Sequence, residues 1–231
     1  MNTQKLKILT FSFDDGVTQD RRLVELFNRY GMKCTFNINS GLLGLPGTLG
    51  TPERPIQHNK IQPEEVGTLY RGHEVAVHTV THPRLPEIED EEVIYHQVED
   101  DRLELERLSG GPVVGMAYPC GGVNNDDRVA EIIGRRTPIR YARTITSSGD
   151  FEFPANPLRM NPSVHAINFD DMMELGRKFI DLKPERPQMY YIWGHSYEFD
   201  LDDGWNRFEA FCKMMAGQDD IAYLTNRDAL L

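Results

Sequence analysis

Short apolar runs and helix-period segments take turns along the chain, and that alternation restricts the fold more than any other feature. "KILTFSF" (Lys7–Phe13) reads as a buried strand, and Asp20–Arg29 follows with Leu23, Leu26 and Phe27 on one helical face. "KCTFNI" and "HEVAVH" read as further strands, with a short helix at "QPEEVGTLYRG" between them and Pro63 in its first turn. Glu89–Leu108 is the longest helical pattern, its Ile94, Val98, Leu105 and Leu108 lying roughly on one stripe. Its other face is crowded with Glu and Asp and reads as solvated. "GPVVGMAYP", "IRYART", "QMYYIWGH" and "IAYLT" supply the remaining strands, with helices expected at Asp126–Ile133, Phe169–Asp181 and Trp205–Met215. Strand-then-helix repetition of this kind builds a parallel sheet, open or closed into a barrel. Gly41–Pro55, rich in Gly, Pro and Thr, is expected to be a long loop, functional or disordered.

No repeat, low-complexity tract or linker divides the 231 residues, so a single α/β domain over 1–231 is expected. Hydrophobic residues make up 39%, enough for a core that folds without staples. A net charge of −11 repels polyanions, which argues against a nucleic-acid partner and for neutral or cationic ligands. No apolar stretch approaches the roughly 20 residues a bilayer span needs, so no membrane role is expected. Cys34, Cys120 and Cys212 are odd in number and widely spaced, as in a reducing compartment. "MNTQKLKILTFSF" lacks the apolar core of a signal peptide, and a cytoplasmic location is expected.

In parallel α/β folds, ligand sites form beyond the carboxyl ends of the strands. The polar clusters fall there. Asp14 and Asp15 close the first strand, His78 and His82 follow "HEVAVH", Tyr118–Gly121 follow "GPVVGMAYP", and His195 closes "QMYYIWGH". Within "HTVTHP" the histidines are four apart, so one helical turn would set both imidazoles on one side. Two imidazoles and a carboxylate suit a divalent transition ion, most often zinc, although the spacing also occurs in structural roles. Of the paired carboxylates, one can bind the ion while the other takes a proton from water activated there. Gly16 would let the backbone turn sharply away. The alternative is a cap, with Asp14 or Asp15 as the N-cap of the following helix.

"SFDDG" (Ser12–Gly16), "HTVTHP" (His78–Pro83), "AYPCGG" (Ala117–Gly122) and the late His195 resemble, in order and spacing, the motifs of the polysaccharide deacetylase family, carbohydrate esterase family four. The resemblance spans Ser12–His195 and implies a distorted (β/α) barrel with about seven parallel strands. It further implies one divalent ion held by Asp15, His78 and His82, zinc or else cobalt or another transition metal. Asp14 would be the general base and His195 the general acid that protonates the departing amine. The implied reaction removes an N-acetyl group from an amino sugar or oligosaccharide. Alternatives are a deacylase or amidohydrolase of a small cytosolic metabolite, and a non-catalytic carbohydrate-binding protein on the same fold.

The third motif departs from the family pattern, with Ala117 and Cys120 where an Arg and an aromatic are usual. An Arg partner for the catalytic Asp is therefore missing at that point. The backbone N–H of Cys120 can still serve as an oxyanion donor; a nucleophilic thiol is the competing role. The family's Asp-Trp motif, which would orient His195, is not recognisable after Arg143; Asp150 matches poorly, and Asp200, Asp202 and Asp203 are local alternatives. Tyr118, Arg159, Tyr197 and Glu198 are candidate substrate contacts, with a surface ion pair as the other reading of Arg159 and loop support as that of Tyr197 and Glu198. Trp193 reads as core and His73 as a structural hydrogen-bonding residue. His58, His96 and His165 have no motif context.

Overall fold

The computed structural model describes residues 5–231; residues 1–4, the start of the segment read as lacking a signal peptide, lie outside the described residues. The strands are β1 (Lys7–Asp14), β2 (Cys34–Ile38), β3 (Thr48–Thr51), β4 (Arg54–Gln57), β5 (Glu74–Val77), β6 (Gly115–Ala117), β7 (Tyr141–Arg143), β8 (Val164–His165), β9 (Gln188–Gly194) and β10 (Ile221–Tyr223). The helices are α1 (Asp20–Arg29), α2 (Val66–Leu69), α3 (Glu91–Ser109), α4 (Asp127–Arg136), α5 (Phe169–Asp181), α6 (Gly204–Met215) and α7 (Asn226–Leu230).

Every residue of β1 is buried, because both faces of a parallel sheet are covered. Leu9, Phe11 and Phe13 pack toward the helices: Phe11 lies 4.7 Å from Phe27 of α1, and Phe13 lies 5.8 Å from Phe208 of α6, between ring centres. Thr10, Ser12 and Asp14 alternate with them and meet polar partners inside the sheet, namely Asn226, Arg143 and Asn37. The inward face of the first strand is thus polar.

Seven parallel strands run in the order β7-β6-β5-β2-β1-β9-β8. One edge of β1 is shared, by β10 at Lys7–Leu9 and by β2 at Phe11–Asp14. Met160 bridges to Arg143 of β7, and Val164–His165 pair with Ile192–Trp193 of β9, so the segment from Met160 to His165 touches both ends of the order. The result is the expected distorted (β/α) barrel.

Three expectations need correction. Gly41–Pro55 is no structureless loop: it contains most of an antiparallel hairpin, β3 on β4, which pairs only with itself and so shows no buried periodicity. The acidic face of α3 is not wholly solvated. Glu99, Asp101 and Arg102 are buried there, Glu99 clasping Arg102 and Asp101 accepting from the backbone N–H groups of Ser40 and His78. His78 and His82 do not sit on a helical turn; Thr79 and His82 have left-handed φ of 67° and 62°, and the segment is a bent loop. Cys34, Cys120 and Cys212 are unpaired. Among the described residues, no helix is long and apolar enough to cross a membrane.

Candidate active site

Asp14 ends β1 facing inward, 2% exposed. Asn37 Nδ2 donates to its Oδ1 at 2.8 Å, and the Arg143 guanidinium grips both oxygens. Arg143 is fully buried; its Nε donates to Ser12 Oγ, its Nη1 to Thr144 O, and its plane lies over Trp193 at 4.7 Å. Burial alone would push the Asp14 carboxyl up, but Arg143, His78 and His195 outweigh it, and the net displacement is downward. Asp14 is held ionised. The Arg partner missing at Ala117 therefore comes from the next strand, where Arg143 is one of two arginines in "IRYART" and nothing in the local sequence singles it out.

Asp15 turns away with φ of 85°, its N–H bonded to Asn37 O at 2.9 Å, so adjacent carboxylates point to different partners. Gly16 follows at φ of 61°, where a Cβ would stand 2.9 Å from Ile38 Cγ2; only glycine fits this turn. The N-cap position of α1 is Gln19, which removes the capping alternative for the Asp pair. Asp15 Oδ1 lies 3.8 Å from His78 Nε2 and 3.7 Å from His82 Nε2. His78 Nδ1 donates to Ala117 O at 2.9 Å, which leaves its Nε2 lone pair toward Asp15. Burial lowers the His78 imidazole to about 4 and lowers His82 as well, so both are neutral at pH 7. Burial would raise Asp15, yet His58, His195, Lys60 and His78 hold it well below the usual range. One ligand atom from each of Asp15, His78 and His82 lies within 4.8 Å of the others. Two neutral imidazoles and an ionised carboxylate at such distances fit a divalent transition ion.

His195 closes β9 with Nε2 3.9 Å from Asp14 Oδ2 and Nδ1 3.2 Å from Glu198 Oε1. The second Glu198 oxygen accepts from the His195 N–H at 3.1 Å and lies 2.9 Å from His165 Nε2. His165 in turn stacks on Trp193, centroids 4.1 Å apart. Burial would lower His195, but Glu198 with Asp15 and Asp14 raises it to about 9. The carboxylate beside His195 is thus Glu198. Asp200 bonds Gln19 and Trp205, Asp202 pairs with Arg54, and Asp203 accepts from Asn206.

The polysaccharide deacetylase family model matches residues 1–137. The chain belongs to the polysaccharide deacetylase family. Among curated proteins none matches it closely enough to count as a relative. Solved structures share the fold of this polysaccharide deacetylase chain. A Streptococcus pyogenes deacetylase, solved with acetate, is 20% identical with a TM-score of 0.52, over 65% of this chain and 61% of its own. A family 4 acetyl xylan esterase from Clostridium thermocellum, solved with a cobalt ion, has a TM-score of 0.62 at 11% identity, over 96% and 90% of the two chains. A peptidoglycan deacetylase from Bacillus subtilis gives 0.57 at 16% identity, over 99% and 92%.

In this polysaccharide deacetylase chain the two Asp, His78, His82 and His195 line one cavity of about 220 Å³, together with Tyr118, Cys120, Trp193 and Tyr197. Tyr118 donates its hydroxyl to Leu158 O, so it offers the cavity its ring. Tyr197 packs its ring 5.0 Å from His195. Cys120 adopts φ of 71°; its Sγ donates to His82 O, and burial raises the thiol, which works against a thiolate nucleophile. Arg159 lies outside the cavity, paired with Asp127 beside a separate depression. Glu198 stands behind His195, not among the lining residues. His58, which had no motif context, places Nε2 3.0 Å from Asp15 Oδ2.

Proposed function

We propose that the chain is a metal-dependent hydrolase that removes an N-acetyl group from an amino sugar or oligosaccharide. One observation carries this reading. Asp14 and His195 face each other across 3.9 Å beside the Asp15–His78–His82 triad, with their acidities displaced in opposite senses. Paired groups driven apart in this way divide the roles of base and acid.

Asp15, His78 and His82 would hold a divalent ion, zinc or cobalt by their donor chemistry, and when bound it would supply Lewis acidity and lower the pKa of water toward about 7. Asp14, ionised by Arg143, takes the proton of the attacking water. The N–H of Cys120, a residue that lines the cavity, is the donor assigned to the oxyanion that develops on the acetyl carbonyl. Protonated His195 gives its proton to the nitrogen as the C–N bond breaks, leaving acetate and a free amine. An amine departs only once protonated, whereas an alcohol needs less help; a histidine held charged to about pH 9 therefore favours an amide over an ester. We place the protein in the cytoplasm on the three unpaired thiols.

Asp14→Asn tests the assignment. Bound metal, measured by elemental analysis, is expected to stay at the wild-type level, while acetate release from N-acetylglucosamine oligomers falls about 10²–10⁴-fold. Turnover near the wild-type rate in that variant removes Asp14 from the base role.

A further inference from the structure

We propose that His58 is the positioning residue of the metal centre, presented by the 41–57 excursion to hold Asp15 as a one-oxygen ligand. The proposal rests on Asp15 being a ligand. The two oxygens of Asp15 are divided: Oδ2 lies 3.0 Å from His58 Nε2, while Oδ1 faces His78 and His82 at 3.8 and 3.7 Å. An ionised carboxylate only accepts, so His58 Nε2 carries the proton of that bond. With Oδ2 occupied, the carboxylate cannot rotate to offer both oxygens, and Oδ1 is fixed toward the imidazoles.

The backbone around His58 is built for delivery. Its N–H bonds Gly47 O at 2.8 Å, and Gly47 N–H returns to Asn59 Oδ1 at 3.0 Å. The segment is then tied to the turn that carries Asp15. Asn59 O accepts from Thr18 N–H and Gly16 O accepts from Ile61 N–H, and Lys60 Nζ donates to the main-chain oxygen of Asp15 at 2.9 Å. The His58 and Tyr197 rings pack nearly perpendicular with centroids 4.9 Å apart, which limits the rotation of the imidazole. The long Gly-rich segment thus serves the site, returning the chain over the first turn with one imidazole in register.

The test is Zn2+ affinity of the metal-free 231-residue chain, read by competition with a chromophoric chelator. Loss of an outer partner of a metal ligand weakens binding about 10–100-fold, which is the expectation for His58→Ala. His58→Gln, whose amide N–H donates to the same oxygen but ligates transition metals poorly, is expected to restore most of the affinity. Should the Ala variant not fold, His58→Asn, too short to reach Oδ2, replaces it with the same expected loss. Wild-type affinity in the Ala or Asn variant, or a Gln variant as weak as they are, overturns the positioning role alone. A wild-type chain that takes up no Zn2+ overturns the metal centre itself, and His58's role falls with it.

Discussion

Glu198 sets the charge of His195 from three positions along the same turn. Glu198→Gln removes that charge, so the imidazole is expected to fall from about 9 toward the ordinary 6.5, measured by NMR titration of the ring. The sign for stability follows from the raised value. The pair stabilises the fold fully below pH 6.5 and loses that contribution as pH rises through about 9. Wild-type denaturation midpoints should therefore decline over that window more than those of the Gln variant, and a matching decline is the result against the pairing. At this scale, legibility depended on proximity in sequence. Asp14 with Asp15 and His78 with His82 are short-range repeats of one residue type. Arg143 meets Asp14 across 129 positions and His58 meets Asp15 across 43, and no local pattern marks either pair.

The turn from β1 into α1 is the element on which the Asp15 carboxylate hangs. Gly16→Ala puts a Cβ 2.9 Å from Ile38 Cγ2 at a left-handed φ. A left-handed alanine costs about 1–2 kcal/mol before any steric shift, and urea denaturation should register at least that loss. An unchanged midpoint means the turn adapts freely. The extents of α1 and α5 were readable from spacing alone, because each buries one apolar stripe. The inward acids of α3 were not. Asp101 differs from its exposed neighbour Asp100 only in meeting the amides of Ser40 and His78, which belong to other parts of the chain.

Across the whole molecule, Arg143 on β7 reaches Asp14 on β1 through the barrel interior, past β2, β5 and β6 in the strand order. Breaking a buried pair by removing one partner leaves an uncompensated charge, at about 3–5 kcal/mol. Arg143→Met is expected to lose stability on that scale in guanidinium unfolding, and adding Asp14→Asn should recover much of it. A double variant no better than the single one disconnects the two residues. The alternation of strands and helices made the parallel barrel legible. The closure did not register, because the two paired residues of β8 and the single bridge at Met160 are too short to carry any period.

That closure joins the two halves of the proposed proton traffic. Met160 is stitched to the Arg143 that anchors the base, and a few residues on, His165 is stitched to the strand whose end bears the acid. A local parting of this hem slackens both grips at once, so the groups that accept and release protons lose their alignment as a couple, never singly.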